Sequence, residues 1–81
     1  MPSALVSRNV RIGRRRTSVR LEREMWDALA EICRREGVTA NAICTEVGER
    51  GAEGGFTSRL RVYIMTYFRA RAGEASAQQK R

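Results

Sequence analysis

Two arginines and a serine alternate along one short stretch of the chain, and their side chains are well suited to bind a polar partner. Arg16, Ser18 and Arg20 are two residues apart within the run RRTSVRLE. Residues two apart in a β-strand share a face, so these three side chains would form one polar row. A guanidinium can donate two parallel hydrogen bonds to a phosphate or to the O6 and N7 atoms of guanine, and a serine hydroxyl can bond several base edges. The pattern therefore indicates a surface for an anionic or nucleic-acid partner.

The segments that flank this row predict a strand and then a helix. Thr17, Val19 and Leu21 alternate with the polar row and predict a half-buried strand over residues 17–21. The next segment, EREMWDALAEICRREG, places apolar residues at helical spacing and acidic residues in its early turns, and it ends in two arginines and a glycine. A first helix is therefore expected from residue 22 or 23 to residue 36.

Two further helices are expected C-terminal to the first one. Thr39 is a suitable N-cap for a helix over about residues 40–50, whose apolar stripe includes Ile43 and Val47. The glycine-rich run RGAEGGF ends that helix. A third helix is expected over about residues 57–71, because apolar side chains recur there at helical spacing. These side chains are Leu60, Tyr63, Ile64, Tyr67 and Phe68.

The domain organisation follows from these elements. We expect a flexible basic arm over residues 1–14, one folded domain over residues 15–72 and a polar tail over residues 73–81. A chain of 81 residues buries a small share of its surface on folding, so association of copies is expected to stabilise it.

The predicted strand has no expected partner within the chain, because no other segment shows a strand pattern and a single strand cannot satisfy its ladder hydrogen bonds. We therefore expect it to pair with the same strand of a second copy. The expected fold is mainly α, a homodimer with an intermolecular two-stranded antiparallel β-ribbon and a third, C-terminal helix in each chain. The expected core of this dimer consists of Val19, Leu21, Trp26, Leu29, Ile43 and Val47.

Basic residues are concentrated at the two ends of the chain. Residues 1–20 contain six arginines and no acidic residue, residues 21–53 contain eight acidic residues and four arginines, and residues 54–81 contain six basic residues and one acid, Glu74. Clustered positive charge attracts polyanions such as nucleic acid or an anionic membrane surface. A solvated basic surface without a partner is the alternative that composition leaves open.

Several classes of protein are disfavoured by what the sequence lacks. It has no histidine and no Cys-x-x-Cys pair, and Cys33 and Cys44 fall on apolar positions of the predicted helices. These facts argue against a metal site, a cofactor and nucleophilic or acid–base catalysis, so we do not expect an enzyme. No apolar run approaches the roughly 20 residues that span a bilayer, and the apolar region of a signal peptide is missing. A cytoplasmic protein without a membrane partner is expected.

With these elements in place, the sequence resembles a known family. The run RTSVRLEREMWDAL followed by GVTANAI is similar to the ribbon-helix-helix superfamily of bacterial DNA-binding proteins, which includes the Arc and Met repressors, and it is closest to a short branch with a further helix. The resemblance covers residues 15–50. It implies that Arg16, Ser18 and Arg20 contact bases in the major groove and that the N-terminus of the second helix binds a phosphate. The expected phosphate contacts are Arg14, Arg15, Thr39, Ala40 and Asn41.

The expected function is sequence-specific binding of double-stranded DNA by a homodimer that acts as a transcriptional repressor or regulator, with association of dimers on DNA left open. One alternative is an antitoxin that binds its own promoter and neutralises a toxin through its C-terminal part. Another is a dimerisation or interaction module without a DNA partner. A protein partner would then bind the apolar stripe of the third helix, at Leu60, Tyr63, Ile64, Tyr67 and Phe68.

Overall fold

A computed structural model describes residues 4–51 and 54–79 of the chain. Within these residues the elements, in chain order, are the strands β1 (Leu5–Ile12) and β2 (Arg15–Glu22) and the helices α1 (Arg23–Glu36), α2 (Ala40–Arg50) and α3 (Phe56–Gln79). The strands form an antiparallel ribbon, and the helices cover its apolar face. The predicted mainly α architecture, with a ribbon, two helices and a further C-terminal helix, is confirmed.

The N-terminal strand β1 corrects the sequence analysis. Residues 5–12 were expected in a flexible arm, but they pair with β2 from Leu5 opposite Glu22 to Ile12 opposite Arg15. The connection is a two-residue turn in which Gly13 has a φ of 63° and Arg14 does not have a positive φ. A type II′ hairpin turn has this geometry, and its twist matches that of the flanking strands. The flexible-arm prediction is therefore wrong for residues 5–12, and residues 1–3 lie outside the described residues.

The ribbon is formed within one chain, which corrects a second expectation. Because β1 fills the hydrogen-bond ladder of β2, the strand does not need a second copy to satisfy it. The side chains expected in the core of a dimer are instead buried in the core of a single chain, each at most 7% exposed; they are Val19, Leu21, Trp26, Leu29, Ile43 and Val47. The prediction that the chain needs an intermolecular ribbon in order to fold is thus wrong.

Helices α1 and α2 begin and end where the sequence places them. Gly37 follows α1 with a φ of 68° and donates its backbone N–H to the Cys33 carbonyl at 2.8 Å, as a glycine at this position commonly does. Thr39 caps α2, because its Oγ1 accepts the Ala42 backbone N–H at 3.0 Å. Both predicted boundary signals are confirmed.

Helix α2 lies against β1 at close range. The small residue at position 48 makes this approach possible, since a Cβ added at Gly48 would overlap the Cγ2 methyl of Ile12. Thr45 and Asn41, one and two turns earlier on α2, bond the backbone of β1 at Arg11. Gly48 lowers the helix propensity of α2, but it allows the helix to pack closely against β1.

Helix α3 packs back on the rest of the domain, as its apolar stripe predicts. Leu60 and Ile64 are fully buried in the common core, at 0% and 2% exposure. Farther along α3, the Tyr67 hydroxyl donates to the carboxylate of Glu36, the last residue of α1, at 2.6 Å. The helix runs to Gln79 rather than to residue 71, so the expected polar tail is helical over residues 73–79. Its alanine, glutamate and glutamine residues favour helix although they have no apolar stripe.

Candidate nucleic-acid interface

The polar row predicted from β2 is present on the outward face of the ribbon. Arg16, Ser18 and Arg20 are all exposed, whereas Val19 and Leu21 between and beyond them are buried. The alternation follows from the strand's period of two and from the burial of one face by the helices. The three side chains that the resemblance assigns to base contacts therefore share one accessible surface.

A second polar row, which the sequence analysis missed, lies beside the first. Ser7, Asn9 and Arg11 of β1 are exposed and stand opposite residues 20, 18 and 16 of β2, respectively. The hydroxyls of Ser7 and Ser18 are hydrogen-bonded across the strands at 2.8 Å. The outward face of the ribbon thus has two polar rows.

A recognisable signal for β1 was present in the sequence. Val6, Val10 and Ile12 share one face, and the following Gly13-Arg14 pair suits a type II′ turn. Arg8 interrupts the apolar alternation, and this hid the strand. In the structure its guanidinium lies over the Trp26 ring, 5.2 Å from the ring centroid, where an arginine can remain partly solvated.

The outward face carries only positive charge over residues 4–21. Residues 4–21 contain no acidic side chain. None of the ion pairs among the described residues involves the ribbon arginines, which are Arg8, Arg11, Arg14, Arg15, Arg16 and Arg20. The acid at the end of β2, Glu22, is bonded to Arg61 of α3 at 3.0 Å. The pKa of Glu22 lies below its usual value because a backbone hydrogen bond, and then Arg61, stabilise the carboxylate. Among the described residues, therefore, no acidic side chain forms an ion pair that would neutralise the positive potential of the ribbon arginines.

The residues expected to bind phosphate lie next to this face. Asn41 Oδ1 accepts the Arg11 backbone N–H at 2.9 Å, which places the N-terminus of α2 beside β1. The first helical N–H groups have no carbonyl within their own helix, and among the described residues no partner is found for those of Ala40 and Asn41. Such groups attract anions. Arg14 and Arg15 are exposed at the tip of the hairpin.

The two edges of the ribbon differ. The edge of β1 is closed by α2 at its C-terminal end, because the Arg11 N–H donates to Asn41, Thr45 Oγ1 donates to the Arg11 carbonyl at 3.4 Å, and the Gly13 N–H donates to Thr45 at 2.8 Å. Arg11 therefore turns its backbone groups away from β2. Antiparallel pairs alternate, so residues 16, 18 and 20 turn their own N–H and C=O groups away from β1. Among the described residues these groups have no backbone partner, and the edge of β2 is open.

The other side chains that attracted attention in the sequence belong to the core. Trp26 is buried, and its indole N–H donates to the Val6 carbonyl at 2.8 Å, so the ring is not presented to a partner. Burial raises the pKa of the Cys44 thiol to about 11, and it also raises the pKa of Cys33. Protonated thiols of this kind are weak nucleophiles and weak metal ligands.

The apolar stripe of α3 is mostly used within the chain. Leu60 and Ile64 are buried, so they do not form a surface for a protein partner. Tyr63 and Tyr67 are partly exposed and line a groove of about 610 Å³ between α2 and α3. Arg71 lies over the Tyr67 ring, 4.6 Å from its centroid, and bonds Glu36. Within the described residues, none of the helices has the length and apolar character required to cross a membrane.

The family model described as a ribbon-helix-helix domain matches residues 5–68, which include the ribbon, α1, α2 and the core-facing part of α3. The chain belongs to this family. Ribbon-helix-helix proteins are a non-enzymatic DNA-binding family whose members generally act as transcription regulators or antitoxins, typically as dimers. No curated protein and no solved structure gives a significant match to the chain.

Proposed function

We propose that this protein is a sequence-specific double-stranded DNA-binding protein that regulates transcription, most simply as a repressor, and that the outward face of its ribbon enters the major groove. The single observation that carries the proposal is the row of Arg16, Ser18 and Arg20, exposed on the outward face of the ribbon, where residues 4–21 contribute no acidic side chain. A two-stranded ribbon fits a major groove, which is about 12 Å wide, and arginine there bonds guanine in bidentate fashion.

The first experiment is a selection of bound fragments from random double-stranded DNA, followed by affinity measurements on the selected site. Arg16→Ala and Arg20→Ala are each expected to cost about 1 to 3 kcal/mol per contacted base and to relax the preference at one position of the site. Binding to unrelated DNA should fall much less. Fluorescence anisotropy on the selected site and on a scrambled fragment measures both quantities.

Arg34→Ala is the matched control for these variants. Arg34 is exposed near the end of α1, about 17 Å along the helix from its start at a rise of 1.5 Å per residue. Its removal should leave both affinities unchanged. If all three arginine variants lose the same fraction of affinity on every sequence, the base-contacting assignment is wrong.

We further propose that the DNA-binding species is a dimer in which the open edges of two β2 strands pair. An exposed strand edge is a template for pairing with another chain, and the other edge of this ribbon is occupied by α2 at Arg11 and Gly13. Antiparallel pairing about a two-fold axis would place two copies of Arg16, Ser18 and Arg20 at the centre of a four-stranded sheet. Members of the family typically bind DNA as dimers, which supports this arrangement.

Ser18→Pro is expected to separate dimerisation from folding. Proline removes the N–H of residue 18, which points to the open edge of β2 and not to β1, and edge positions of this kind tolerate proline. The variant should therefore remain folded but sediment as a monomer, while Ser18→Ala should sediment like the parent. A Ser18→Pro protein that stays dimeric, or a parent that is monomeric throughout a concentration series, would contradict pairing through β2.

The antitoxin alternative has less support. Its C-terminal segment would bind a toxin, but the predicted binding stripe contributes Leu60 and Ile64 to the core of this chain. What remains for a partner is the groove beside Tyr63 and Tyr67. A regulator that needs only DNA and a second copy accounts for more of the exposed surface.

A further inference from the structure

The second polar row on β1 raises the question of what Arg11 contacts. It stands directly opposite Arg16 on the outward face. The pair is of the non-hydrogen-bonded type, in which the Cα atoms are about 4.5 Å apart and the side chains are close. Like charges at such positions are destabilising. The neighbours that face Arg11 from β1, β2 and α2 are Asn9, Arg16, Ser18, Asn41 and Thr45, none of which is acidic. An anion outside the chain would relieve this repulsion.

The position of β1 in the proposed dimer indicates which part of the DNA supplies that anion. With β2 and its copy paired at the centre, the two β1 strands are the outer strands of the sheet. Three strand spacings of about 4.8 Å place them about 14 Å apart, which is more than the width of a major groove of about 12 Å. The β1 strands therefore lie over the rims of the groove, where the phosphates are. The N-terminus of α2, which is bonded to β1 through Asn41, lies farther out on the same side.

We infer that Arg11 contacts the DNA phosphate backbone at the rim of the major groove, one contact per protomer, and that β1 thereby sets the register of the ribbon without selecting the sequence. This inference rests on the proposed DNA-binding dimer. Arg11 is held in place for the role, because its backbone N–H and C=O are both bonded to α2, so the strand cannot shift relative to the helix that flanks it. Sequence preference then belongs to β2 alone.

The test compares Arg11→Gln and Arg11→Lys with the parent protein on the selected site and on a scrambled fragment, at several salt concentrations. Arg11→Gln should lower the affinity for both fragments by the same factor. It should also reduce the slope of log affinity against log salt by about 2 for a dimer, since each lost phosphate contact removes about 0.9. Arg11→Lys should restore most of the affinity, because a phosphate accepts a point charge whereas a bidentate base contact requires arginine. Arg34→Gln is the matched control and should leave the slope unchanged.

Three outcomes would overturn the inference. If Arg11→Gln relaxes the preference at one base pair, and Arg11→Lys does not restore it, β1 lies inside the groove. If Arg11→Gln binds with the parent's salt slope while Arg16→Ala loses specificity, the proposed function stands and the phosphate contact does not. If the parent itself does not bind DNA in a salt-dependent manner, the proposed function and the inference both fail. Thermal melts followed by circular dichroism verify that each variant is folded.

Discussion

Leu21→Asp is expected to abolish the cooperative unfolding transition of this protein. Leu21 is fully buried beneath the ribbon, and its cross-strand neighbour is the apolar Val6. Removing a buried leucine side chain costs about 2 to 5 kcal/mol, and an uncompensated buried charge costs a further 3 to 5 kcal/mol or so. The sum approaches or exceeds the whole stability of a small domain, about 5 to 15 kcal/mol. Urea titration followed by circular dichroism measures the result.

Ser18→Asp is the control for that substitution. It introduces the same carboxylate into the same strand, three residues earlier and on the exposed face, beside Arg16 and Arg20. The substitution gives up the exposed hydrogen bond to Ser7, so its cost should stay within about 1 kcal/mol. A Leu21→Asp protein that unfolds at the same urea concentration as Ser18→Asp would show that the inner face of the ribbon is not part of the core.

Truncation after Gly55 is expected to have an effect of similar size. It removes α3 and with it Leu60 and Ile64, both buried, and it exposes the faces of α1 and α2 that they cover. Deleting either side chain alone would cost about 2 to 5 kcal/mol. The truncated chain should therefore lose its sharp thermal transition in calorimetry.

A shorter truncation, after Gly73, serves as the comparison. It leaves in place the residues of α3 that are described as packing against the core, from Phe56 to Phe68. Its melting temperature should be close to that of the full chain. If the chain that ends at Gly55 melts like the full chain, α3 does not contribute to the stability of the domain. The alternative that α3 binds a separate protein partner would then gain support.

The helices were predictable because their signals are local. The apolar spacing of α1, the glycine at residue 37 and the threonine at residue 39 act within one or two turns, and each is found where the sequence places it. The hairpin depends instead on a contact between elements. Arg8 interrupts the apolar alternation of β1 and lies with its guanidinium over the ring of Trp26, eighteen residues later. Strand patterns that require a partner surface of this kind are poorly visible in a sequence window.

The same distinction applies to the candidate interface. The row of Arg16, Ser18 and Arg20 could be predicted from its own alternation, and its exposure is as expected. The row on β1 could not be predicted once that segment had been interpreted as an arm. The bond between Asn41 and the backbone of Arg11, thirty residues apart, is a tertiary contact without a sequence signature. That these surfaces bind DNA is a prediction, and the affinity measurements described above test it.

The unequal edges of the ribbon also limit how many copies can assemble. Units with two open edges can add head to tail without end, which produces filaments, whereas a self-complementary contact about a two-fold axis closes after two units. Here Asn41 and Thr45 occupy the β1 edge at Arg11 and Gly13, so a second strand cannot pair along the whole of that edge. In the proposed dimer, pairing through β2 uses the open edge of both partners. Two hydrogen-bonding side chains on α2 thus oppose strand addition at β1 and the growth of the sheet into a fibre.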